Sequence, residues 1–313
     1  MLLEILYVVI GVAMVLYGAD RLTEGAASLA RRMKVPEIII GLTIVAAGTS
    51  APELFVSVVS ALNGTPDLAV GNVVGSNTMN AMLIVGVAAM VAPMTISRST
   101  VRKDIPFSVG ASLLLLLLAF DSYLGLVDGL LLLAGFAIFM TYTLMQARQG
   151  NGAESAADAT TVAPRSPWLS AGFIVLGLVL LVSGSDLFVS AASNIATQMG
   201  VSEGVIGLTV VAGGTSLPEL ATSVVAARKG QSAIAIGNVI GSNVFNILLI
   251  LGLTATISPL PIEGITSVDM GVMLLSVVLV WLFSRTRYTV ERWEGASLVV
   301  GYLAYLGWML SQL

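Results

Sequence analysis

Apolar stretches of about twenty residues follow one another along almost the whole of this 313-residue chain, each long enough to cross a bilayer as a helix. No single water-soluble core could hide so much apolar surface. Hydrophobic residues make up 57% of the chain and charged ones only 10%, against roughly 25% charged in an ordinary soluble domain. An all-α integral membrane fold is expected, because in lipid the backbone must satisfy its own polar groups. Ten spans fit the pattern: near 3–29, 36–62, 68–92, 105–120, 125–146, 168–195, 202–227, 234–258, 267–284 and 293–312. The first run lacks a basic leader and an A-x-A-like cleavage site, so it reads as a spanning helix. The stretch 147–167, with Gly150, Gly152, Pro164 and Pro167 among small polar residues, reads as a linker.

The loop charges test the count. Arg31, Arg32 and Lys34 follow span one; Arg98, Arg102 and Lys103 follow span three; Arg148 and Arg165 flank the linker. Arg228 and Lys229 follow span seven, and Arg285, Arg287 and Arg292 follow span nine. Thirteen of the fourteen cations thus lie in odd-numbered loops, and the fourteenth, Arg21, sits late in span one. The positive-inside rule makes that side cytoplasmic. Both termini then face outward.

The chain also repeats itself. Residues 35–55 match 201–221 at fourteen of twenty-one positions, and 69–86 match 235–252 at eleven of eighteen. Both matches share an offset of 166, which also relates Asp20 to Asp186, Pro93 to Pro259 and Gly129 to Gly295. Five spans per repeat is an odd number, so the second half starts on the opposite side of the membrane. The expectation is two inverted-topology five-helix repeats, 1–146 and 168–313. In transporters of this build the substrate site lies near the midplane, where interrupted helices meet. Channels can share the architecture.

With neither Cys nor His in the chain, thiolate metal sites and imidazole proton shuttles are excluded. Chemistry must rest on oxygen ligands, which suit Na⁺, Ca²⁺ or Mg²⁺. Within Gly48-Thr49-Ser50-Ala51-Pro52-Glu53, Pro52 has no N–H to offer the Gly48 carbonyl and opens the helix there. Carbonyls of Ala46, Ala47 and Gly48 are expected to be freed; Pro218 and Gly214 repeat the arrangement near Ala212. A carboxylate at the bilayer centre costs at least about 2.5–3.5 kcal/mol, and no basic residue in the neighbouring spans pairs with Glu53 or Glu219. A cation or a proton must compensate them. Asn72, Ser76 and Asn80 form a polar stripe at four-residue spacing, as do Asn238, Ser242 and Asn246. Asn72 and Asn238 fit either a structural or a ligating role. Ser57, Ser223, Gly41, Gly207, Gly71 and Gly237 fit helix packing, Glu37 and Glu203 a helix-dipole interaction, and Asp20 and Asp186 an interfacial or gating role.

GTSAPE (48–53) with GNVVGSN (71–77), and GTSLPE (214–219) with GNVIGSN (237–243), resemble the two α-repeats of sodium/calcium exchangers of prokaryotic type, in the Ca²⁺/cation antiporter superfamily. Proton-coupled members usually carry a Gly-Asn-x-x-Glu motif, which is missing here. The resemblance implies an antiporter, not an enzyme, that transports Ca²⁺ and Na⁺ without a cofactor. It implies Glu53 and Glu219 as central carboxylates. Hydroxyl or carbonyl oxygens would come from Thr49, Ser50, Thr215 and Ser216, and carbonyls from Ala46 and Ala212. Ser76 and Ser242 would line outer Na⁺ sites, and Asn80 and Asn246 the middle of the site. Potassium-dependent relatives, and some prokaryotic ones, place Asp at the position of Asn246, so the Asn argues against K⁺ co-transport. It implies a plasma-membrane protein in a lipid bilayer, with no nucleic acid and no obligate protein partner. H⁺/Ca²⁺ antiport, with a glutamate carrying the proton, and a cation channel stand as rival readings.

Overall fold

The computed structural model describes residues 1–148, 166–200 and 212–311. The linker residues 149–165 and the first part of the seventh expected span, 201–211, lie outside the described residues, with Glu203 and Gly207 among them. The described chain is almost wholly helical: α1 Leu2–Met33, α2 Glu37–Thr49, α3 Ala51–Leu62, α4 Pro66–Val91, α5 Thr100–Asp121 and α6 Leu126–Arg148. Then come α7 Pro167–Gln198, α8 Ala212–Thr215, α9 Leu217–Arg228, α10 Ser232–Ile257, α11 Ser267–Arg285 and α12 Arg292–Leu310. Among the described residues seven helices are long and apolar enough to cross a membrane, or eight if α2 and α3, bent by 45°, count as one.

Local chemistry sets the ends. Pro52, Pro66, Pro167 and Pro218 stand in the first turns of α3, α4, α7 and α9, where a missing N–H costs nothing. Capping boxes start α11 (Thr266 with Asp269) and α12 (Glu291 with Glu294). Two short antiparallel pairs add to the expected all-α plan. Met94–Thr95 meets Thr289–Val290, and Tyr123–Leu124 meets Leu260–Pro261.

The centre is α10 and α4, with 94% and 78% of their most apolar stretch buried, against 22% for α1. On the flank, α1 and α7 run antiparallel in close contact. A Cβ on Gly11 would fall 2.8 Å from the Gly184 carbonyl oxygen, one on Gly18 2.8 Å from that of Gly177, and one on Gly25 2.8 Å from that of Ser170. Small residues at seven-residue spacing on both helices let the backbones touch.

Many contacts occur twice with partners exchanged by the 166-residue offset. Gly11 against Gly184 becomes Gly177 against Gly18; Gly86 against Gly295 becomes Gly252 against Gly129. Met94 opposite Val290 becomes Leu260 opposite Leu124. One cluster has no such copy. Lys229 places its ammonium 2.6 Å from Asp20 Oδ1, and donates to the Asp20 carbonyl at 3.0 Å and to Thr23 Oγ1 at 3.1 Å. Arg21 pairs with Asp20 and, at 3.0 Å, with Glu24, which accounts for a cation late in a span. The position equivalent to Lys229 is Asn63. Because Lys229 and Asp20 are about a third exposed, Lys229→Ala should lower stability by no more than about 1 kcal/mol. Thermal unfolding at low and high salt checks this, the difference shrinking as salt screens the pair.

Candidate cation site

The two motif prolines break their helices in the same way. α2 ends at Thr49, Ser50 sits at φ −81°, ψ 5°, and α3 restarts at Ala51. Ser216, at φ −92°, ψ 7°, separates α8 from α9 identically. Proline cannot continue a helix whose preceding turn needs its N–H, so each becomes an early residue of a new helix. Glu53 and Glu219 then fall in the first turns of α3 and α9, where the helix dipole favours a negative charge. Both glutamates are 0% exposed.

Each glutamate is held by the other half. Ser216 Oγ donates to Glu53 Oε1 at 3.2 Å, and Ser50 Oγ donates to Glu219 Oε1 at 3.2 Å. Ser242 Oγ adds a 3.4 Å bond to Glu219 Oε1, and Ser216 Oγ lies 3.2 Å from Ser76 Oγ. The structure thus brings the six residues together as two buried hydrogen-bonded sets, Glu53 with Ser216 and Ser76, and Glu219 with Ser50 and Ser242. Thr49 Oγ1 donates to Asn238 Oδ1 at 3.1 Å and to the Ala46 carbonyl at 3.4 Å. Thr215 is half-buried at the end of α8.

Asn72 and Asn238 brace the backbone beside the glutamates. Asn72 Nδ2 donates to the Glu53 carbonyl (3.2 Å) and Ser57 Oγ (3.0 Å); Asn238 Nδ2 donates to the Glu219 carbonyl (3.4 Å) and Ser223 Oγ (3.0 Å). Asn80 and Asn246 sit where α4 and α10 widen into π geometry, over Asn80–Ile84 and Phe245–Leu251. Such bulges turn side chains out of the regular register and occur frequently at functional sites. The Asn246 bulge packs against α3 and the Asn80 bulge against α9.

The carbonyls behave differently from expectation. Ala46 O accepts the Ser50 N–H at 2.9 Å, because the break falls after Thr49 and the last turn of α2 stays closed. Gly214 O, the carbonyl that Pro218 leaves without its helical donor, accepts the Ser185 hydroxyl of α7 at 2.6 Å. The structural surroundings of the Ala212 side chain lie outside the described residues. Gly41 and Gly237 take the packing role, a Cβ on Gly41 falling 3.1 Å from Gly237 Cα.

Four acceptor atoms in this region are buried with no hydrogen-bond donor: Glu53 Oε2, Glu219 Oε2, Asn80 Oδ1 and Asn246 Oδ1. A buried, unsatisfied acceptor costs about 1–3 kcal/mol, and more when charged. No Lys or Arg pairs with either glutamate among the described residues. Unsatisfied oxygens of this kind fit a hard cation of the Na⁺ or Ca²⁺ type.

The sodium/calcium exchanger protein family model matches residues 3–145 and 169–311, nearly the whole chain. This chain belongs to that family. The sodium/calcium exchanger MaX1 of Methanosarcina acetivorans is 34% identical over 345 residues, covering 96% of this chain and 97% of that protein. The putative antiporter CaxA of Alkalimonas amylolytica is 37% identical, covering 97% and 98%. The inner membrane protein YrbG of Escherichia coli is also 37% identical, covering 98% and 96%. Among solved structures, the sodium-calcium exchanger NCX_Mj superposes with a TM-score of 0.86 at 30% identity, over 98% of both chains. As a member of the exchanger family the protein is an integral membrane antiporter of cations including Ca²⁺, and not an enzyme.

Proposed function

We propose that this exchanger moves Na⁺ against Ca²⁺ by alternating access, the two ions competing for one set of buried oxygens. The observation that carries the reading is the four donor-less acceptors of Glu53, Glu219, Asn80 and Asn246. Two carboxylates balance one Ca²⁺, and the surrounding Thr49, Ser50, Thr215, Ser216, Ser76 and Ser242 offer further hydroxyl or carbonyl oxygens. Carbonyls of Ala46 and Ala212 complete the set; Ala46 O keeps its bond from the Ser50 N–H and gives up the longer one, 3.4 Å from Thr49 Oγ1, to the ion. Occupancy by one ion excludes the other, and that competition couples their movements. The Methanosarcina acetivorans relative, named a sodium/calcium exchanger, supports the choice of Na⁺.

The architecture that goes with it has ten spans in two inverted five-helix repeats, 1–146 and 168–313, joined by a cytoplasmic linker at 147–167. Contacts that recur with partners exchanged are what a two-fold relation produces, and the family model matches the chain in two blocks. Both termini face outward from a prokaryotic plasma membrane; the Escherichia coli relative is named an inner membrane protein. The ions are substrates, the bilayer is the surroundings, and the reading calls for no resident cofactor, nucleic acid or obligate protein partner.

Flux in proteoliposomes tests this. Ca²⁺ uptake is expected only with an opposing Na⁺ gradient, and K⁺ should not be required. Uptake driven by a pH gradient without Na⁺ would mark a H⁺/Ca²⁺ antiporter. Flux that needs no counter-ion, or unitary currents, would mark a channel.

A further inference from the structure

Asn77 and Asn243 lie one turn before Asn80 and Asn246, fully buried, and have no part in the ligand set above. Asn80 Nδ2 donates to Asn243 Oδ1 at 3.1 Å, and Asn246 Nδ2 donates to Asn77 Oδ1 at 3.1 Å. Asn77 Nδ2 in turn donates to the Asn243 carbonyl at 3.3 Å. A side-chain amide has a donor end and an acceptor end. Here the donor end of each ligand-set asparagine is taken by an oxygen of the opposite repeat, so its acceptor end is the one left over. Those acceptor ends, Asn80 Oδ1 and Asn246 Oδ1, are the ones buried without a donor.

We propose that Asn77 and Asn243 are positioning residues that fix which end of Asn80 and Asn246 faces the cation, and that they specify a neutral amide at both positions. The proposal rests on the cation-site reading above. A carboxylate at position 246 would set an acceptor against Asn77 Oδ1 with no hydrogen between them. To accept it, Asn77 must turn its amide over and give up its bond to the Asn243 carbonyl. The site therefore keeps its formal charge at the two glutamates through residues that do not touch the ion.

The test is Ca²⁺ binding by the full chain in detergent, by calorimetry, alongside melting temperature. Asn77→Ala and Asn243→Ala are each expected to weaken Ca²⁺ binding about tenfold, the loss of one buried hydrogen bond. Asn243→Asp keeps an oxygen where Asn80 needs one, and Asn243 Nδ2 has no partner to lose, so this variant should recover most of the affinity lost in Asn243→Ala. The sharper arm is a double-mutant cycle. Asn77→Ala should weaken binding in the parent yet improve it in the Asn246→Asp background, a change of sign that generic destabilisation does not produce. Parent-like affinity in both alanine variants, or additive losses in the cycle, would overturn the proposal. If Asn243→Ala does not fold, the Asn77 cycle decides alone. Failure of the parent itself to bind Ca²⁺ would instead overturn the cation-site reading.

Discussion

Glu53→Gln is expected to abolish Ca²⁺ exchange, and Glu219→Gln to do the same. Glutamine keeps the shape, and its oxygen can still accept the serine hydroxyl that Oε1 accepts now, from Ser216 or Ser50. Its nitrogen then replaces Oε2, the atom left without a donor, and turns a partial positive charge toward the ion. Breaking a buried charge interaction on one side costs about 3–5 kcal/mol, which is a loss of roughly 100-fold or more in affinity. The sign for stability is opposite. Without the ion each variant should melt no lower than the parent, because an uncompensated buried charge has gone. The rise in melting temperature that Ca²⁺ gives the parent should vanish. Radiolabelled Ca²⁺ uptake with melting curves in and out of Ca²⁺ measures both. Parent-like exchange in either variant would sink the assignment.

The second large effect is expected far from the ions. In Gly18→Leu the new Cβ would meet the Gly177 carbonyl oxygen at 2.8 Å and the Leu181 nitrogen at 2.9 Å. These are backbone atoms of a partner helix and cannot rotate aside, so α1 and α7 must separate along their length. Overpacking typically costs about 1–3 kcal/mol, and an unyielding backbone puts this case at the upper end or beyond. The melting temperature should fall and transport should be lost. Gly172→Ala on α7 is the matched control, since nothing lies within 4 Å of its Cβ position; it should be neutral or slightly stabilising. Equal stability and transport in the two variants would contradict the close-contact account.

Much of this was legible in the residues alone, and the reasons are physical. Helices cover the expected spans on described residues, seven or eight of them long and apolar enough to cross a membrane, because apolar length in lipid leaves the backbone few alternatives. The motif glutamates came out buried and converging, because two carboxylates in apolar spans without a basic partner have few other places to go. What stayed hidden depends on how the halves approach each other. Asn77 stands in the quoted GNVVGSN motif, but which amide end faces Asn246 is settled only by contact across the repeats. The π bulges at Asn80 and Phe245 insert no proline or glycine to announce them. The hydroxyl of Ser185 on the Gly214 carbonyl joins residues 29 positions apart. Pro52 did signal a break, yet whether it interrupts a helix or opens a new one is a backbone choice that places Ala46 O in a closed turn.

The crossing of the serine bonds has an evolutionary reading. Ser50 serves Glu219 and Ser216 serves Glu53, so neither half owns its glutamate's environment. A change at one serine is felt by the glutamate encoded 169 or 163 residues away, and the two copies of the motif cannot drift independently. Mutual service of this kind favours keeping the two copies alike. The first half expressed alone would carry Glu53 without its donor, and the second would keep only Ser242 on Glu219.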